Sequence, residues 1–147
     1  MKHITVIRRK VATMANRLKK MGLSLSKAFR KAWELIKGNS IDTKVAGVTK
    51  GNRQLALHRI AAAYSPSDVS VKLIRDTANL FDNNAIKVVI AVKGSKSYEL
   101  GFLPRNLAYV VSVLMDKGME LVATFKEVRG HYERYMNYGA VISIQLV

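Results

Sequence analysis

The sequence predicts an α+β fold: a small barrel-like sheet of five or six strands with two inserted helices, preceded by an N-terminal helical hairpin. Three observations predict it. After residue 43, short β-branched and aliphatic runs recur between clusters of Gly, Asn, Ser and Asp. Two stretches of helical character, residues 52–64 and 105–117, interrupt those runs. Residues 1–37 instead carry basic amphipathic periodicity.

The chain divides into a basic hairpin at residues 1–38 and a globular domain at residues 43–147, with Gly38, Asn39 and Ser40 as linker. In the first part, Ile7, Val11, Met14, Leu18 and Met21 fall at spacings of four and three, one apolar stripe on a helix. Gly22 suits its C-cap and Ser24 the N-cap of a second helix, whose apolar face is Ala28, Phe29, Ala32, Trp33 and Ile36. A helix-turn-helix DNA reader is disfavoured, because that motif needs a third supporting helix and a polar recognition surface.

In the second part, residues 43–49 suit a strand. A helix over residues 52–64 follows, with Leu55, Ile60 and Ala61 to Ala63 available for the core. Ser65, Pro66, Ser67 and Asp68 make a turn, since Pro presets φ and Ser and Asp supply side-chain caps. Residues 71–74 and 86–92 read as strands around a polar loop holding Asn79, Phe81, Asp82, Asn83 and Asn84. Asn and Asp suit such a loop because their side chains bond nearby backbone N–H groups. Phe81 is the unexpected member: it either folds under the loop as a plug or stands out as a platform. A hairpin at residues 94–97 leads to a strand over 98–103. Pro104 then opens a helix whose buried face is Leu107, Val110, Val111 and Leu114, closed by Gly118. Strands over 119–128 and 140–147 complete the domain, separated by a polar and aromatic segment with Tyr132 and Tyr135.

Charge narrows the function. The chain carries 25 Lys and Arg against 10 Asp and Glu, a net +15. Residues 1–37 hold eleven of the cations and one acid, Glu34, so two-thirds of the net charge lies in the first quarter. An excess of this size is an electrostatic footprint for a polyanion. Nucleic acid is favoured over a membrane, because no apolar anchor accompanies the charge and no run approaches a membrane span. The N-terminal residues show no secretory signal, which favours the cytoplasm.

Catalysis finds little support. There is no cysteine, and His3, His58 and His131 sit in no ligand spacing, so no metal site is expected. No phosphate-loop motif occurs, so no ATPase and no cofactor are expected. Asp76 and Asp82 are too isolated for a nuclease carboxylate cluster.

Residues 71–88, VKLIRDTANLFDNNAIKV, followed by LGFLP at 100–104 and a helix, resemble the HIRAN domain; residues 45–54, VAGVTKGNRQ, resemble its opening strand and the segment after it. The resemblance spans residues 43–147. It implies a modified oligonucleotide-binding barrel. It also implies capture of a 3′ single-stranded DNA end, with an aromatic stacked on the terminal base and an adjacent Asp accepting the 3′-hydroxyl proton. The matching positions are Phe81 and Asp82, with Asn79 supporting the turn or contacting the end. Arg105 aligns with a phosphate-contacting position, and Phe102 with one whose ring faces the nucleic acid in some members. Lys50 stands where DNA-end binders place an aromatic. It reaches a phosphate but cannot stack, so a two-ring sandwich is not implied. Against these roles stand ordinary ones: Asn79, Asp82 and Asn84 as turn formers, Lys50 and Arg105 as solvated surface.

The expected function is therefore binding of single-stranded DNA or DNA ends without catalysis. Arg8, Arg9, Lys10, Arg17, Lys19 and Lys20 of the hairpin would add non-specific phosphate contacts. A second reading, from another class, is a phage or mobile-element protein that inhibits a host nucleic-acid-guided nuclease in the manner of an anti-CRISPR, by binding the nucleoprotein complex or its nucleic acid. A third is a metal-dependent nuclease.

Overall fold

The computed structural model describes residues 37–130 and 137–147, together with Arg9, Thr13, Arg30, Glu34 and Leu35. The predicted contacts of Arg8, Lys10, Arg17, Lys19 and Lys20, and the stripe and apolar face of the hairpin, lie outside the described residues. Arg9 and Thr13 are helical, and the Thr13 hydroxyl donates to the Arg9 carbonyl at 2.9 Å.

Nine elements follow among the described residues: β1 (Ile41–Lys44), α1 (Arg53–Ala63), a 3-10 turn (Pro66–Asp68), β2 (Val69–Arg75), β3 (Ile86–Val92), β4 (Tyr98–Phe102), α2 (Arg105–Asp116), β5 (Leu121–Arg129) and β6 (Gly139–Leu146). The six strands form one antiparallel sheet in the order β1-β6-β5-β2-β3-β4. The two edges then meet. Beyond β1, Val45 donates to Ala140 of β6 at 2.9 Å, while Ala46 and Phe102 of β4 exchange both backbone hydrogen bonds at 2.7 and 2.9 Å. One bridge thus joins the first strand's continuation to the last strand of the sheet and curls it into a small barrel. Register shifts in β3 at Val88/Val89 and in β5 at Phe125/Glu127 supply the bending that closure needs.

The seam explains Gly101. A Cβ there would stand 2.2 Å from the Ala46 carbonyl oxygen and 2.8 Å from Val45 Cγ1, so only glycine lets the two backbones approach.

The core comes from alternating strand residues and one face of each helix. Val88 and Ile90 of β3, Leu100 of β4, and Ile142 and Ile144 of β6 are sealed from solvent with Leu107, Val110, Val111 and Leu114 of α2. That α2 face is the predicted one. Helix α2 ends at Gly118, with φ of +80°: Gly118 N–H reaches Met115 and Met119 N–H reaches Leu114, a closure that needs a left-handed residue. Gly38 closes the helical turn of Glu34 and Leu35 in the same way, and Leu35 is fully buried in the domain core.

Helix α1 departs from expectation on its buried face. Ile60 fills the core as expected, but Leu55 is half-exposed and Ala61 to Ala63 face solvent, and Leu57 takes the remaining core position. The rotation follows from anchors at the N-terminal end. Gln54 donates to the Val48 and Tyr138 carbonyls at 3.0 and 2.9 Å and accepts Tyr138 N–H at 2.7 Å, so that face must point at Val48 and at Tyr138, which precedes β6. The strand expected over 43–49 begins at Ile41 and ends at Lys44, because the chain leaves β6 to bridge Phe102 and then turns at Gly47.

Candidate nucleic-acid interface

The 76–85 loop between β2 and β3 is built from its own side chains. Its neck is closed by Asp76 N–H bonding to Ala85 at 2.9 Å. The carboxamide oxygen of Asn79 accepts the N–H of Phe81 at 2.9 Å and of Asp82 at 3.0 Å, while its nitrogen donates to the Asp76 carboxylate at 3.2 Å. Asp82 Oδ1 in turn accepts Asn84 N–H at 2.9 Å. These are the local side-chain-to-backbone bonds for which Asn and Asp suit turns. They orient the Asp82 carboxylate by one oxygen. The other oxygen has no hydrogen bond among the described residues, and the side chain is half-buried.

With the backbone pinned, the tip points outward. Phe81 is 93% exposed and Leu80 is 94% exposed. Phe81 therefore stands out from the loop and is not a plug. Leu80 was not legible as a site residue, since a leucine between turn formers reads as core by default. Its one sequence signal is its place inside the run of Asn and Asp. Two adjacent apolar side chains so fully in water are uncommon without a partner to cover them.

The base of the loop is held to α2. The Arg75 guanidinium at the end of β2 bonds to the Asp116 carboxylate at 2.6 Å, to the Ser112 carbonyl at 3.3 Å and to the Asn83 carbonyl at 3.2 Å. Ser112, fully buried, donates to the Tyr109 carbonyl at 2.8 Å and lies 3.4 Å from Asn84 Oδ1. Arg75 was missed as an anchor because its partners are 8 to 41 residues away in sequence. The loop exit also borders the β4–α2 junction, where Leu103 N–H bonds to Ile86 at 3.0 Å. Arg105, two residues on, begins α2 and is exposed.

Phe102 and Lys50 belong to a neighbouring cluster. Phe102 is half-buried, paired with Lys87 across the sheet and packed beside the Gly47 turn. Arg53 donates to the Gly47 carbonyl at 2.7 Å and pairs with Glu99 at 3.5 Å, and Lys87 pairs with the same carboxylate at 3.7 Å. Lys50 is exposed in this turn, its N–H on Gly47 at 3.5 Å. No hydrogen bond or ion pair joins Lys50 to the 76–85 loop among the described residues. The structure thus brings Asn79, Phe81 and Asp82 together, places Arg105 beside the loop's exit, and sets Phe102 with Lys50 on the seam. Among the described residues no three His, Asp or Glu side chains come together as a metal would require, and no helix is long and apolar enough to cross a membrane.

No curated protein matches the chain. Among solved structures, the HIRAN domain of human HLTF is 19% identical, over 73% of this chain and 74% of that one, with a TM-score of 0.46. A protein from Lactobacillus plantarum is likewise 19% identical, over 73% of this chain and 95% of that one, with a TM-score of 0.49. The family model of the HIRAN domain matches residues 39–146, well over half of the sequence and all of the curled sheet, and the chain belongs to the HIRAN domain family.

Proposed function

We propose that this protein binds nucleic acid without catalysis, and that the 76–85 loop receives the 3′ end of single-stranded DNA. The observation that carries this reading is an exposed aromatic ring beside a half-committed carboxylate, with the backbone N–H of each held by one asparagine. Phe81 offers a face on which a terminal base stacks, a contact of about 1–3 kcal/mol. Asp82 accepts a hydrogen bond from a free 3′-hydroxyl through its unbonded oxygen, and its charge repels a continuing phosphate. The pair thereby favours ends over internal strand. Arg105 beside the loop, and the basic N-terminal segment with Arg9, supply phosphate affinity that carries no sequence information.

Fluorescence anisotropy with single-stranded oligonucleotides ending in 3′-hydroxyl or 3′-phosphate tests it. Wild type is expected to prefer the hydroxyl, and Asp82→Ala to lose that preference. Equal affinity of wild type for the two ends overturns end capture. Affinity is expected to fall with salt at a logarithmic slope of about −0.7 per phosphate neutralised. Replacement of Arg8, Arg9, Lys10, Arg17, Lys19 and Lys20 by Gln, which leaves the core residue Leu35 in place, is expected to lower that slope while keeping the end preference.

A further inference from the structure

A second cleft lies at the opposite end of β3 from the 76–85 loop. It has a volume of about 260 Å³ and sits between the C-terminal half of α1 and the β3–β4 hairpin. Its floor includes Ile60 and Ile90, both nearly sealed from solvent. Its walls carry the rings of Tyr64 and Tyr98 and its rim the cations Arg59 and Lys96. Tyr64 is 43% exposed, a large ring left partly in water. No carboxylate lines the cleft. Neither cation has a salt bridge, and neither tyrosine hydroxyl a hydrogen bond, among the described residues. Arg53 and Lys87, by contrast, both pair with Glu99.

We infer that this cleft binds a nucleobase together with its phosphate, as a second contact for the polynucleotide. The chemistry has three parts. An apolar floor flanked by two rings takes a flat heterocycle. Two uncompensated cations at the rim take the phosphate attached to it. The volume falls below the roughly 300–1,000 Å³ of drug-sized sites, which suits one ring rather than an extended ligand. Single-strand binders combine these elements, aromatic platforms with a basic track. The inference rests on the reading that the chain binds nucleic acid, but not on end capture. The two sites lie at opposite ends of the seven-residue β3, about 20 Å apart at 3.3 Å per residue. A strand held by its end at the loop would need several further nucleotides to occupy the cleft.

Photo-cross-linking of the full chain tests this, using a 16-nucleotide oligo(dT) carrying 4-thiothymine, with peptide mapping. Label is expected on peptides containing Tyr64 or Tyr98, as well as at the 76–85 loop. The double variant Arg59→Glu/Lys96→Glu alters only exposed positions and is expected to remove the cleft label while keeping the loop label. Tyr64→Ser is expected to reduce the cleft label about fivefold or more, as loss of a stacking contact implies. 4-Thiothymidine monophosphate separates the sources: cleft label from the monophosphate alone upholds the chemistry with a free nucleotide as ligand, and label from the oligonucleotide alone upholds the strand. Label at the loop only, or cleft label unchanged in the double variant, overturns this inference and leaves end capture standing. Label at the cleft only upholds this inference and counts against end capture. No label from either probe overturns this inference and the nucleic-acid reading together.

Discussion

One carboxamide oxygen, that of Asn79, holds the backbone N–H of Asp82 at 3.0 Å and that of its neighbour Phe81 at 2.9 Å. The backbone carrying the two side chains proposed to meet a DNA end is therefore held by a residue that need not touch it. Asn79→Ala removes both bonds, and with them the one its nitrogen donates to the Asp76 carboxylate at 3.2 Å, while the Phe81 and Asp82 side chains themselves are unchanged. Its stability cost is expected to be modest, about 0.5–1.5 kcal/mol for each lost bond at a solvated site. Hydrogen exchange at the Phe81 and Asp82 amides is expected to speed up. The preference for a 3′-hydroxyl is expected to fall with it, although both proposed contacts remain.

Phe81→Ala separates binding from stability. The ring is 93% exposed, so the melting temperature is expected to stay within the spread of surface substitutions, about 0.5 kcal/mol. Affinity for single-stranded DNA is expected to fall roughly 5- to 150-fold, the equivalent of one stacking contact. Phe81→Trp is expected to retain binding. A melting temperature that drops sharply in Phe81→Ala would show that the ring packs against the fold.

Gly101→Ala strikes the closure of the barrel. The added methyl would meet the Ala46 carbonyl oxygen at 2.2 Å, and a backbone atom cannot rotate away. The expected cost is about 2–3 kcal/mol, read as a fall of roughly 5–10 °C in melting temperature. Gly118→Ala is a contrast: the space there is open, and the cost is confined to a left-handed backbone, about 1–2 kcal/mol.

Stability is expected to decline in acid through two carboxylates. The Ser65 backbone N–H, with the Ser65 hydroxyl, holds the Asp68 carboxyl below its usual range, within a capping box at the 3-10 turn. The Lys126 ammonium does the same for Asp42, across from β5 to β1. Both folded values lie below the unfolded value of about 3.9. The stabilisation is therefore complete well above pH 3.9 or so and disappears as pH falls through the lower folded values. Thermal melts from neutral pH down to about pH 2 are expected to show a shallower acid limb in Asp68→Asn and in Asp42→Asn than in wild type.

Local patterning dictates the class of fold, because period-2 runs and period-3.6 runs bury one face only if they become strands and helices. It placed β3 at residues 86–92 and put Leu107, Val110, Val111 and Leu114 on the inner face of α2. It marked residues 79–84 as a built loop, because Asn and Asp there serve their own backbone. That Phe81 points into solvent emerges only from the folded chain, since a ring between two strands is equally suited to plugging a core. The same holds for contacts distant in sequence: Arg75 on Asp116, Gln54 on Tyr138, and Ala46 on Phe102. These depend on how a curled sheet brings its ends together, and local patterns of polarity carry no information about that.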